Sequence, residues 1–197
     1  MYKKQMTAQK VLCMTAVIVS AIFFLYTLGL MTDLYDSLYD TMRNPSNVYQ
    51  TDVPGSVIYY AMQAFNRQLL LLSIGQILLG ALLHITNTHC RRRYYIGNFV
   101  ATGLFTAGAI YNSVYAHITI EEAKRQFLNN VDFAALKEHA EMWGTLYTES
   151  TFWFDIHYLV FGLLLLASAA LVANVVWKVN LMKDEAALVE EGRRSVG

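Results

Sequence analysis

The chain has 197 residues, of which 55% are apolar and 15% charged, with Lys+Arg 15 cancelling Asp+Glu 15. Soluble domains carry about 25% charged residues, and disordered chains need low hydrophobicity with high net charge, so both classes are excluded. A neutral chain also lacks the basic excess of a nucleic-acid binder. Its two cysteines, Cys13 and Cys90, are too few for a disulfide scaffold or a four-thiolate metal site. The composition is that of a membrane protein.

Spanning a bilayer core takes roughly 20 mostly apolar residues in a helix. Four stretches meet that test, and the spacing predicts membrane helices over about 11–31, 57–86, 95–117 and 153–177. Pro45 and Pro54 both fall in the first loop, so no span is interrupted by proline. The first span follows lysines like a signal peptide, but its apolar run of about 21 residues is too long for a signal core. No A-x-A pattern follows it, and it reads as an anchor. The predicted fold is therefore an all-α integral membrane bundle forming one domain.

Orientation follows from the distribution of Lys and Arg. The N-terminus, the link between the second and third spans, and the tail 178–197 carry ten cations against four acids, a net of +6. The opposite side has five cations against eleven acids, a net of −6. Both termini are thus expected on the cytoplasmic side of the inner (plasma) membrane, or inside an organelle's inner membrane in a eukaryote.

The outer loops span about 32–56 and 118–150. In the first, Asp33, Asp36 and Asp40 recur at i, i+3 and i+7, one face of a helix continuing outward from the first span. That face could hold Ca²⁺ or Mg²⁺, although a solvated acidic face is the commoner meaning. In the second, Phe127, Leu128, Val131, Phe133, Ala134 and Leu136 can form an amphipathic stripe. One or two helices capping the outer end are expected. The third span is rich in small residues: Gly97 and Ala101, then Gly103 and Ala107, lie four apart. Such pairs allow close helix approach, which makes this span the expected centre of the bundle, packed on the fourth.

A rise of 1.5 Å per residue assigns depths. Arg67, His117, Asp155, His157 and Asp33 all fall at the outer interface, with Asn66, Asn112, Gln63 and Glu149 nearby. The simplest meaning is an interfacial belt with Arg67 bridged to Asp155 or Asp33, within a girdle of Trp153, Tyr158, Tyr111 and Tyr115. A sharper one is a metal or ligand site in which His117 and His157 join Asp155 or Glu149. Asp155 and His157 point about 200° apart on a helix, so both cannot serve one point without distortion. A bis-histidine haem between His117 and His157 is a variant of that reading. A third is a transport path lined by Gln76, Asn98, Asn112, Thr102 and Thr106, which would require an oligomer. Gln76 is more often a helix–helix hydrogen bond than a substrate ligand.

No catalytic cluster stands in the sequence, and no cofactor is expected. The leading expectation is a non-enzymatic subunit or accessory protein of a larger membrane assembly, with the bilayer and a protein partner or its own copies around it. An oligomeric channel or small-solute transporter is the alternative. A haem- or metal-dependent redox protein with an outer-face site is the second alternative.

Overall fold

The computed structural model describes the backbone over residues 2–42, 55, 58–87, 95–143 and 149–196. Among the described residues the chain is helical throughout: α1 (Tyr2–Met42), α2 (Ile58–Asn87), α3 (Tyr95–Asn130), α4 (Phe133–Trp143) and α5 (Phe152–Val196). Among the described residues, three helices are long and apolar enough to cross a membrane, over Lys3–Leu30, Met62–Asn87 and Phe152–Gly192. α3 is comparably long but is diluted by Asn98, Thr102, Thr106, Asn112 and Ser113.

The four long helices pack in a ring, α1 on α2 and α5, α3 on α2 and α5. α3 is therefore a wall of the bundle and not its centre, which corrects the expectation drawn from its small residues. Only part of that small-residue pattern faces inward. Ala101, Ala109 and Ala116 are buried, whereas Gly103 and Ala107 look outward and no atom lies within 4 Å of a Cβ placed on Gly103.

Each wall contributes a seam at helical spacing. α1 buries Cys13, Ala16, Ser20, Phe23, Thr27 and Leu30, and α5 buries Phe154, His157, Phe161, Leu164, Ser168 and Leu171. The outside is also apolar: Leu25, Leu71, Leu78 and Leu166 are each more than 60% exposed. Amides and hydroxyls inside with leucines outside is the partition expected when the surrounding solvent is lipid. Buried hydroxyls return to their own helix, Ser20 to the Ala16 carbonyl at 2.8 Å and Ser168 to the Leu164 carbonyl at 2.9 Å, so each satisfies its donor locally.

Both termini lie at one end of the ring, since Gln5 of α1 bonds Asn174 of α5. At the other end α3 continues about three turns past His117, and α4 follows it and packs against α1. The Asp132 carboxylate caps α4, accepting from the backbone N–H groups of Ala134 and Ala135 at 3.1 and 3.0 Å. Phe127, Val131, Leu136 and Ala140 are buried, while Leu128 and Ala134 of the expected stripe stay exposed. α1 likewise extends to Met42, so the backbone around Asp33, Asp36 and Asp40 is helical; those side chains lie outside the described residues.

Candidate functional site

Two polar centres stand out, one at each end of the ring. The first joins α3 to α5 at the end remote from the termini. His117 and Glu121 sit one turn apart on α3, and His157 faces them from the first turns of α5. His117 Nδ1 lies 3.1 Å from His157 Nε2, and the same His157 nitrogen is 3.9 Å from a Glu121 carboxylate oxygen. The His157 Nδ1–H donates to the Phe154 carbonyl. That bond places a hydrogen on Nδ1, so in the neutral ring the Nε2 lone pair faces His117 Nδ1. The Tyr158 hydroxyl donates to Glu121 at 2.8 Å and orients the carboxylate. His157 is buried and His117 exposed, so the group opens outward.

The remaining residues expected at this depth disperse. Asp155 turns away from His157, as the helical angle requires, and pairs with Lys124 while accepting from Thr151 at 2.7 Å. Glu149 is exposed in the segment before α5, outside the His117–Glu121–His157 group. Arg67 is exposed on α2, and the cation beside Asp155 is Lys124 instead. Asn66 is buried and donates to the Leu30 carbonyl at 3.3 Å. Asn112 is buried deeper and donates to Gln76 at 3.2 Å, while Gln76 donates to the Phe105 carbonyl at 3.1 Å. The Asp33 side chain, like those of Asp36 and Asp40, lies outside the described residues.

Glu121 is the member that sequence reasoning missed. The sequence places it in a loop beginning at Ile118, but α3 runs on unbroken and delivers it one turn above His117. The His-x-x-x-Glu spacing, i and i+4 on one helix face, is the signal that could have found it.

The second centre is at the end that holds the termini. The Lys178 ammonium donates to Gln9 at 3.2 Å, Gln9 donates to Asn98 at 3.1 Å, and Gln5 donates to Gln9 at 2.9 Å and to Asn174 at 3.2 Å. All five side chains are buried, and Lys178 Nζ also stands 5.3 Å from the centre of the Phe99 ring. This clasp ties α1, α3 and α5 together. By sequence Lys178 reads as a tail cation, which conceals this clasp. The pairs Gln5/Gln9 and Asn174/Lys178, each four apart, carried the signal.

The two centres are separated by a packed interior. Phe23, Phe105 and Leu164 are fully buried between them, and Phe23 meets Phe161 edge to face at 5.1 Å. A bis-histidine haem fits poorly at the first centre, because its iron and macrocycle must stand between the two nitrogens, which here touch each other. Comparison with protein-family models, with curated proteins and with solved structures finds no match.

Proposed function

We propose that the protein is a four-span integral membrane protein with both termini on the cytoplasmic side, acting as a non-enzymatic subunit or accessory protein of a larger membrane assembly. α3 serves as the fourth span: residues 95–117 contain no Asp, Glu, Lys or Arg, and it packs between two helices that are themselves long and apolar enough to cross. The +6/−6 charge division supports the orientation, in a plasma membrane or an organelle's inner membrane.

One observation carries the assembly role. α5 runs on past the bundle, and every residue from Lys183 to Gly192 is exposed, including Leu188 at 69% and Val189 at 54%. This exposed end of α5 gains no burial from the bundle, where most helical stability arises, and a partner would supply that packing. A photo-reactive side chain placed at Leu188 in intact membranes should therefore cross-link to another polypeptide in one defined product. The same group at Glu138, on the wet side of the cap, is the comparison. Equal, diffuse labelling from both positions would contradict the reading.

A second reading, an oligomeric channel or transporter, is favoured by the outward-facing Gly103 and Ala107, four residues apart on α3. Gly103→Ile should then lower both the oligomer mass and solute flux in liposomes. Unchanged mass would remove it.

A further inference from the structure

We propose that His117, Glu121 and His157 form a binding site for a divalent transition metal of the zinc class, clamping α3 to α5 at the end of the bundle remote from the termini. The inference is independent of the assembly reading above. One ligand atom from each of the three residues lies within 4.8 Å of the other two. Zinc bonds imidazole nitrogen at 2.0–2.1 Å, and a tetrahedral arrangement at that radius sets neighbouring ligand atoms about 3.3 Å apart. The two histidine nitrogens already stand at 3.1 Å. The carboxylate, 3.9 Å from His157 Nε2, closes on the same point by rotation of a side chain that is only half-buried.

The surroundings match what such a ligand set needs. A metal-bound histidine usually donates its second ring N–H to a carbonyl or carboxylate, which fixes the tautomer. His157 does so to Phe154. A coordinating carboxylate is usually hydrogen-bonded in turn, and Tyr158 donates to Glu121. With no ion, His117 Nδ1–H donates to the His157 lone pair. Coordination moves that proton to Nε2 of the exposed His117 ring, so the imidazole stays neutral, and the Glu121 carboxylate offsets part of the ion's charge. Two nitrogens and one carboxylate oxygen select a borderline ion such as Zn²⁺ over Ca²⁺ or Mg²⁺, which prefer all-oxygen shells. The fourth position opens to solvent past His117.

The test uses the full-length protein in lipid nanodiscs, with Zn²⁺ titrated calorimetrically and Co²⁺ as the spectroscopic probe. One ion per chain is expected, with the intense visible bands of tetrahedral Co²⁺. Tyr158→Phe should weaken binding roughly 10- to 100-fold, the usual effect of losing a hydrogen bond to a ligand. Glu121→Gln and His117→Gln should weaken it further. Both positions are solvent-accessible, so these variants remain informative even if the buried His157→Gln fails to fold. His84→Gln, at the other end of the bundle, should leave binding unchanged. Absence of stoichiometric binding would overturn the proposal, as would binding that survives His117→Gln and Glu121→Gln.

Discussion

Lys178 of α5 donates its ammonium proton to the Gln9 side chain of α1 across 3.2 Å, with both residues buried. Removing the acceptor and removing the cation should have unequal consequences. Gln9→Leu removes one hydrogen bond each from Lys178, Gln5 and Asn98, and weakening a buried polar network in this way costs about 1–3 kcal/mol. Lys178→Met removes the charge and keeps its volume, and such apolar replacements of buried charges are often neutral or stabilising. Detergent melting temperatures should therefore fall clearly for Gln9→Leu and change little for Lys178→Met. The reverse order would show that the clasp is held by the charge and not by the amides.

Two glycines on α3 should respond oppositely to one added methyl. A Cβ on Gly108 would sit 2.7 Å from the Gln76 oxygen that accepts from Asn112. Gly108→Ala must displace that amide and should cost about 1–3 kcal/mol through strain and a loosened bond. Gly103→Ala meets no atom within 4 Å, so the helix gains up to about 1 kcal/mol of propensity. Thermal unfolding in one detergent compares the two directly, and equal shifts would contradict the packing described here.

The ion pair between Lys124 and Asp155 links α3 to α5 in the open, with side chains 24% and 46% exposed. Exposed pairs are worth about 0–1 kcal/mol, so Lys124→Ala should lower stability by no more than that, and less at high salt. The Asp155 carboxylate hydrogen-bonded to it holds the Lys124 ammonium above its ordinary value. A raised pKa in the fold means that the contribution is present at neutral pH and is lost only in alkali, as pH rises through the folded value. The wild-type advantage over Lys124→Ala should therefore be flat from pH 6 to 9 and shrink above about pH 10.5. Loss of that advantage near neutrality would show that the pair is held otherwise. Arg67→Leu, on an exposed residue, should be tolerated equally well.

Much of the helical framework was legible because apolar runs, proline positions and the 1.5 Å rise are one-dimensional quantities. Counting residues was enough to bring His117 and His157 to one depth. Rotation about a helix axis is a different matter: it is set by packing, which composition does not encode. Hence Asp155 could be excluded from His157's side by angle, but Lys124 could not be chosen over Arg67 as its partner. The small residues of α3 misled for the same reason, since Ala101 and Gly103 differ by two positions and face opposite ways. Glu121 falls at a boundary: a polar sequence after a membrane span reads as loop, whereas helix α3 continues with Ile120, Ala123 and Phe127 buried along it, Phe127 against Phe154 of α5 and Phe133 of α4.

The central claim is that this chain is a membrane-embedded subunit that works in company. Native mass measurement of the full-length protein, released from its own membrane in lipid nanodiscs, tests it most directly. The account predicts a stoichiometric complex of the 22.3 kDa chain with at least one different polypeptide, lost when residues 183–197 are removed. A lone chain, or an assembly built only of its own copies, would contradict it.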